Sequence, residues 1–181
     1  MSHVLEQARQ RGATQAEADA SINQGLSVTA RLGEVETIEY QRDRGVSVTV
    51  YFGHRKGSAS TADLSRSAVQ ATVEKACTIA RFTAEDPYSG LVDPDALARD
   101  IPDLDLDHPW ALEAEAAIEL ARRCEAAGLA VDARVTNSEG ASVNTNRHMG
   151  VYGNSLGFLA GSAGTSHTIS CSLIAQAGDE M

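Results

Sequence analysis

The stretch Ala18–Leu32, "ADASINQGLSVTARL", alternates between apolar and polar residues with one exception, Gln24. Neighbouring side chains of a β-strand point to opposite faces, so a period of two predicts one long strand with a buried face and a wet face. The residues on the apolar side are Ala18, Ala20, Ile22, Leu26, Val28, Ala30 and Leu32.

Short connections after this strand predict a meander. Turn-forming residues at Gly33–Glu34 and at Arg42–Gly45 bracket the strand-like segment "VETIEY". Val46–Phe52 alternates again, and a reversal at Gly53–Gly57 leads into "SAST". None of these connections has room for a crossover helix, so adjacent strands are expected to run antiparallel.

Helical periodicity and end signals predict three helices, at Val4–Arg11, at Leu64–Thr83 with Asp63 as N-cap, and at Leu112–Ala127. An acidic, proline-containing connection at about residues 86–109 separates the last two. Further strands are expected at 130–137, 141–146, 149–154 and 158–176, with a turn at Ser138–Gly140. Strand clusters separated by helices favour an α+β fold, here with antiparallel meander strands and packed helices.

Composition excludes several classes of protein. The chain has 181 residues and a formal net charge of −10, which argues against a nucleic-acid partner and against an anionic membrane surface. No apolar run is long enough to cross a bilayer. Three widely separated cysteines offer neither a disulfide framework nor a Cys-x-x-Cys metal site, so we expect reduced thiols in a cytoplasmic protein.

The familiar catalytic motifs are absent from the sequence. The five histidines are too far apart for a His-Glu-x-x-His motif, and there is no Gly-x-Ser-x-Gly elbow. Ser166 and His167 are neighbours on a predicted strand, so their side chains point to opposite faces and cannot form a dyad. The residues alone therefore indicate a fold class without an active site, and no catalytic or metal-binding residue is predicted.

For one acidic run and one basic run of the sequence, an ion-binding site has to be weighed against a plain surface loop or turn. Four aspartates are crowded at positions 100, 103, 105 and 107, where a solvated loop is favoured over a calcium or catalytic role. Their spacing lacks the glycine and terminal glutamate of an EF-hand loop. In "GHRKGSASTADLS", Gly53–Ser65, Arg55, Lys56 and Gly57 can cradle an anion, but the lysine precedes the glycine, unlike in a P-loop. A hairpin turn with exposed cations is favoured.

Five segments follow one another along the chain: "RDRGVSVTVYFGHRKGSASTADLS", "IARFTAEDPYSGLVD", "PDLDLDHP", "VTNSEGASVNT" and "YGNSLGFLAG". In this order they resemble the N-terminal part of the TldD/PmbA family, and the PmbA branch, also called TldE, in particular. The resemblance runs from about Val4 to Met181, and Arg55–Thr61 looks like a family signature at a hairpin.

The resemblance implies a fold, an activity and partners. Members are cytosolic, and TldD and PmbA pair in a zinc metallopeptidase complex that acts on unfolded peptides. The zinc motif belongs to the TldD branch, so this chain is expected to hold no cofactor and to be non-catalytic by itself. Members are longer and have a second, C-terminal domain. We therefore expect residues 1–181 to be an N-terminal domain whose partners are a TldD-like subunit, its own C-terminal domain and unfolded peptides.

Three functions remain open. In the first, the sheets wall a groove to which an extended peptide adds as a strand, and Asn137, Glu139, Asn154 and Ser155 line it. Plain turn chemistry is the favoured explanation of those four residues. In the second, the chain is a non-proteolytic regulatory protein of the gyrase-modulator type, whose negative charge competes with DNA. In the third, it is an α+β scaffold for its C-terminal domain alone.

Overall fold

The computed structural model describes residues 1–178, which form an antiparallel five-stranded sheet and three α-helices. The elements are α1 (Ser2–Gln10), β1 (Gln15–Arg31), β2 (Glu34–Phe52), β3 (Arg55–Thr61), α2 (Arg66–Phe82), α3 (Ala114–Leu129), β4 (Val135–Asn154) and β5 (Leu159–Ala175). A short 3-10 turn, Pro94–Ala96, lies between α2 and α3. The α+β prediction is confirmed.

The order of the strands across the sheet is β3-β2-β1-β4-β5. Pairing of β2 with β3 runs from Val46 opposite Thr61 to Phe52 opposite Arg55. The β1–β2 hairpin turns at Leu32 and Gly33, whose φ angles are 50° and 80°. Two consecutive positive φ angles fit the tight turn that matches the twist of the strands. The predicted turn is therefore present, one residue earlier than expected.

Two other predicted turns are wrong, because long strands run straight through them. Arg42–Gly45 lies inside β2, and Ser138–Gly140 lies inside β4. The second site does carry a backbone irregularity: Gly140 has a φ of 105°, and its N–H donates to the Ser138 hydroxyl over 2.9 Å. Local turn propensity thus distorts the strand there without reversing it, since pairing with neighbouring strands overrides it.

The chain divides into two compact units. Unit 1 comprises 1–22, 43–104 and 149–163, and unit 2 comprises 23–42, 105–148 and the chain from Gly164 onward. The division cuts β1, β2, β4 and β5, so each unit holds a part of each of these strands.

In unit 1, α1 and α2 cover the sheet with small side chains. Val4 and Ala8 of α1 and Val73, Ala76 and Ala80 of α2 pack with Ala16, Ala18, Val46, Val48 and Val50 of the strands. Gly57 of β3 allows the closest approach. A Cβ atom at that position would lie 2.2 Å from the Ala76 carbonyl oxygen and 2.4 Å from the Ala80 nitrogen.

In unit 2, α3 covers one face of the sheet and the other face is polar. Ala117 and Ala121 of α3 pack on Leu26, Val28, Ala30, Ala141 and Val143. On the opposite face, hydrogen bonds join β1 to β4 at Thr29–Ser142 (2.9 Å), Ser27–Asn144 (2.7 Å) and Asn23–His148 (2.7 Å). The alternation that predicted β1 therefore separates its core face from its polar face.

Helix α2 begins two residues later than the sequence predicted. Its N-cap is Ser65, whose Oγ accepts a hydrogen bond from the Ala68 N–H over 3.3 Å. The predicted cap, Asp63, instead accepts from the N–H of Ser65 over 2.8 Å. Asp63 therefore holds the backbone of Ser65, the N-cap residue, and does not itself cap the helix.

We expect Ser65→Ala to lower the free energy of unfolding by about 1 kcal/mol, because it leaves an N-terminal amide of α2 without its side-chain acceptor. Denaturant unfolding measures this change. The matched control is Ser67→Ala, two residues further on, whose hydroxyl lies 3.3 Å from that of Ser65 but accepts from no backbone amide among the described residues. It should change stability by less than about 0.5 kcal/mol. Equal losses for both variants would contradict a capping role for Ser65.

Candidate functional site

Unit 2 contains an open cleft of about 520 Å³. Its floor is formed by β1, β2, β4 and β5, and the segment Pro109–Trp110, which precedes α3, forms a wall. The polar and aromatic side chains that line it include those of Gln24, Tyr40, Arg42, Trp110, Asn146 and His167. A volume of this size is typical of sites for small ligands or a few side chains of a peptide.

The wall of the cleft is held by His167. Its Nε2 lies 3.0 Å from the His108 carbonyl oxygen, and its Nδ1 lies 2.8 Å from the Thr145 hydroxyl. A carbonyl can only accept, so Nε2 carries a proton, and in the neutral ring the Thr145 hydroxyl donates to Nδ1. Trp110 packs edge-on against this ring, with centroids 5.6 Å apart at 90°. The aromatic wall is thus oriented before any ligand arrives.

Arg147 at the cleft is already neutralised. Its Nε and Nη2 donate to the two carboxylate oxygens of Asp107 over 2.8 and 2.5 Å. This fork-shaped pair lowers the pKa of Asp107 and raises the pKa of Arg147. Asp107, predicted to be part of a solvated acidic loop, is therefore tied to β4.

Arg42 differs from Arg147 because it has no partner among residues 1–178. The side-chain amides of Gln24, Gln41 and Asn146 are likewise without a hydrogen bond in this part of the chain. Tyr40 is 70% exposed and Trp110 is 45% exposed. Within residues 1–178, the cleft thus combines one cation and three amides that have no side-chain partner with two accessible aromatic rings.

The four predicted groove residues lie elsewhere. Asn154 is buried in unit 1, where its Oδ1 accepts from the N–H groups of Leu156 and Phe158 over 3.0 and 3.2 Å. The Oγ of Ser155 accepts from the Ala16 N–H over 3.0 Å. Both line a smaller cleft of about 330 Å³ beside α1. These bonds hold the β4–β5 turn in place.

The other two predicted groove residues lie on β4 in unit 2. The Oδ1 of Asn137 accepts from the Ser138 N–H over 2.8 Å, and Glu139 is exposed. Neither residue lines the 520 Å³ cleft.

The basic stretch that the sequence singled out is a hairpin followed by β3. Arg55 contacts Glu85 over 3.3 Å and the Arg81 carbonyl over 3.5 Å, and Lys56 is exposed. Gly57 is buried against the backbone of α2. The glycine in this stretch therefore has a structural role, because Gly57 permits the close contact between β3 and α2.

Neither a metal site nor a membrane span is found in what the structure describes. Between Met1 and Gly178, no three His, Cys, Asp or Glu side chains are placed so that they could hold a metal ion. These residues therefore do not fit a zinc site. No helix among them has the length and apolar character needed to cross a membrane.

Sequence reasoning missed the residues of the cleft. Tyr40, Arg42, Trp110 and His167 are far apart in the chain and meet only because β1, β4 and β5 lie side by side with β2. The one available signal was Trp110, the single tryptophan of a chain with 4% aromatic residues.

The fold and the cleft define an α+β protein with an open surface cleft, and comparison with known proteins identifies its family. Residues 16–80 match the family description "PmbA/TldA metallopeptidase domain 1", and residues 107–181 match "PmbA/TldA metallopeptidase central domain". The chain belongs to the PmbA/TldD metallopeptidase family, which confirms the resemblance found in the sequence.

Curated relatives include Metalloprotease PmbA of Escherichia coli O157:H7, 46% identical over 166 residues, and a PmbA homolog of Haemophilus influenzae, 42% identical over 181 residues. The alignments cover 92% and 100% of this chain, but only 37% and 40% of those relatives. The chain thus spans about two-fifths of their length.

Solved structures share the fold. A proposed modulator of DNA gyrase from Bacteroides thetaiotaomicron matches with a TM-score of 0.89 at 22% identity, over 99% of this chain and 41% of that one. TldE from Thermococcus kodakarensis matches with a TM-score of 0.77 at 13% identity, over 98% and 40%. At these identities the likeness establishes the fold alone.

Proposed function

We propose that this chain is the N-terminal portion of a PmbA/TldE-like subunit in a cytoplasmic zinc metallopeptidase complex of the TldD–TldE type, which acts on unfolded peptides. The observation that carries the proposal is the 46% identity to Metalloprotease PmbA over 92% of this chain. The remaining length of the relatives is proposed to correspond to a C-terminal domain of the same gene product.

The described residues contribute binding surfaces to this activity. A sheet edge offers unpaired backbone groups to which an extended peptide can add as a strand. In unit 2, β5 is an edge strand. Its Thr165 N–H is already taken by the Leu106 carbonyl over 2.8 Å, so an added peptide strand is proposed to pair further along β5, which continues to Ala175. We keep Asn137, Glu139, Asn154 and Ser155 as proposed contacts of a peptide, although Asn137 and Asn154 bond to the neighbouring backbone and Ser155 bonds to Ala16 of β1.

Zinc is proposed to belong to a TldD-like partner. The described residues offer no ligand set for it, so their part in the reaction is to bind and position the peptide. A zinc ion in the partner supplies the Lewis acid and the activated water that hydrolysis of a peptide bond requires.

The test is cleavage of an unfolded peptide, with zinc analysis of each sample. We would compare this chain, the gene product that carries it, and a mixture of that product with a TldD-like relative. Cleavage and zinc in the mixture alone, abolished by a chelator, are expected. Cleavage by the gene product alone would assign the metal to this subunit, and no cleavage in any sample would end the peptidase proposal.

A second candidate function is non-proteolytic regulation of a protein such as gyrase. Two solved structures with this fold, from Bacteroides thetaiotaomicron and Thermotoga maritima, are described as proposed modulators of DNA gyrase. A net charge of −10 suits competition with DNA for a basic surface. This function predicts a stable, salt-sensitive complex with the target and no requirement for zinc.

A further inference from the structure

We propose that the cleft in unit 2 binds a peptide segment that presents an aromatic side chain close to a carboxylate. The inference rests on the proposed peptide-binding function and specifies its ligand. It starts from Arg42, a guanidinium without a partner among the described residues, in a protein with ten more negative than positive charges.

An arginine in this state is suited to an anion. The planar guanidinium offers several N–H donors and binds a carboxylate through two parallel hydrogen bonds. The other arginine at the cleft, Arg147, already has this arrangement with Asp107. Arg42 is therefore the cation at the cleft that remains available for a ligand.

The aromatic part of the ligand is indicated by Trp110 and Tyr40. The Trp110 ring packs edge-on against the His167 ring, and hydrogen bonds at both nitrogens hold the His167 ring in place. The exposed surface of Trp110 is therefore a rigid platform for a ligand. Aromatic pairs favour offset or edge-to-face contact, and a rigid platform loses little conformational entropy on binding. An aromatic side chain is thus a better occupant than a flexible aliphatic one.

The unpaired amides indicate that the ligand is a peptide. Each amide of Gln24, Gln41 and Asn146 offers a donor and an acceptor, which matches the N–H and C=O groups of a peptide backbone. The carboxylate itself has two sources, an Asp or Glu side chain and the α-carboxylate of a C-terminal aromatic residue. Both present the same chemistry to Arg42, and two peptides separate them.

Trp110 makes binding directly measurable, because it is the single tryptophan of the chain. Its emission, excited where phenylalanine does not absorb, is titrated in the 181-residue chain. The first probe is acetyl-Ala-Gly-Phe-Asp-Gly-amide, with a side-chain carboxylate. The second is acetyl-Ala-Gly-Ala-Gly-Phe, with a free C-terminus. Each probe has two control peptides: one removes the carboxylate, by Asn in place of Asp in the first probe and by a C-terminal amide in the second, and the other replaces Phe by Ala.

We expect a saturable change in emission with at least one of the two carboxylate peptides and at least tenfold weaker binding of both of its control peptides. Arg42→Gln should weaken binding of the carboxylate peptide about tenfold, since it removes a charged hydrogen-bonding partner. The matched control is Arg123→Gln, on the exposed side of α3 and outside the cleft, which should change the affinity less than twofold. Circular dichroism verifies that each variant is folded.

Three results would overturn the inference: no emission change with either carboxylate peptide, equal affinity of the wild-type chain and Arg42→Gln, or a Trp110 that acrylamide cannot reach in the gene product. The last would mean that another part of the protein covers the cleft. Binding without cleavage in the mixture with a TldD-like relative would sink the peptidase proposal alone. If the mixture cleaves the peptide but Arg42→Gln binds the carboxylate peptide as tightly as the wild-type chain, this inference alone is wrong.

Discussion

Replacing Gly57 by alanine is expected to lower the free energy of unfolding by about 3 kcal/mol, because the added methyl group collides with the backbone of α2. The new Cβ would lie 2.2 Å from the Ala76 carbonyl oxygen, 2.4 Å from the Ala80 nitrogen and 2.9 Å from the Ala80 Cα. Backbone atoms in a helix cannot rotate away as the end of a side chain can. The helix must therefore move off β3.

The measurement is thermal or denaturant unfolding of the variant beside the wild-type chain. For a chain of this size, about 3 kcal/mol corresponds to a fall in Tm of roughly 6–12 °C. Gly45→Ala is the matched control in β2, because its Cβ would meet nothing closer than the Thr61 carbonyl oxygen at 3.5 Å. A Gly57→Ala variant as stable as Gly45→Ala would show that β3 and α2 are not packed this closely.

Replacing Glu125 by alanine is expected to lower the free energy of unfolding by about 3 kcal/mol, because it empties the buried site of the carboxylate and takes away the acceptor of two backbone amides in the β1–β2 turn. Glu125 lies on α3 and is 1% exposed. Its Oε1 accepts from the Leu32 N–H over 2.8 Å, and its Oε2 accepts from the Gly33 N–H over 2.9 Å. One carboxylate thus fastens the β1–β2 turn to the helix.

The contribution of Glu125 to the free energy of unfolding should depend on pH. Burial by itself would raise the pKa of this carboxyl, but hydrogen bonding with Ser138, Gly33 and Leu32 outweighs burial and lowers the pKa below the ordinary value of 4.5. A lowered pKa in the folded state means that the stabilisation is complete above about pH 4.5 and is lost as the pH falls through the folded-state pKa.

Unfolding of the wild-type chain and of Glu125→Ala between pH 3 and pH 7 tests both statements. The difference in free energy of unfolding between the wild-type chain and Glu125→Ala should be largest at neutral pH and should become smaller in acid. Glu125→Gln should also be destabilised, since its NH2 group faces one of the two amide donors. Glu119→Ala, on the exposed side of α3, is the control and should change stability by less than about 0.5 kcal/mol. A gap that stays constant with pH would contradict the role of the charged carboxylate.

The parts of the fold that were predictable are those where a side-chain period extends over many residues. Alternation in Ala18–Leu32 predicted β1 because burial on one face requires it, and α2 and α3 followed from apolar stripes. The failures lie at Arg42–Gly45 and Ser138–Gly140, where short polar and glycine-containing runs indicated turns. Pairing partners distant in sequence decide whether such a run continues as strand, and a local pattern contains no information about them.

The site was less predictable than the fold for the same reason. Residue types that form the cleft, such as Arg42 and Gln24, are ordinary surface residues in sequence, and their proximity depends on strand order. Turn residues such as Asn154 attracted attention because their chemistry is conspicuous, yet the hydrogen bonds of Asn154 serve the β4–β5 turn. A polar residue in a turn often stabilises that turn, which makes it a poor guide to binding.

The small size of the core side chains has a consequence for mutational scanning. Among residues 1–178, no side chain larger than valine is fully buried except that of Glu125, and many core positions are already alanine. Alanine substitution at such positions is silent by definition, and at a buried valine it removes only two carbon atoms, worth about 0.8 kcal/mol for each buried CH₂. An alanine scan would therefore show small losses of stability at most apolar core positions and a large loss at Glu125. A scan with leucine or phenylalanine, which probes lack of space rather than loss of contact, is the one that would outline the interior of this protein.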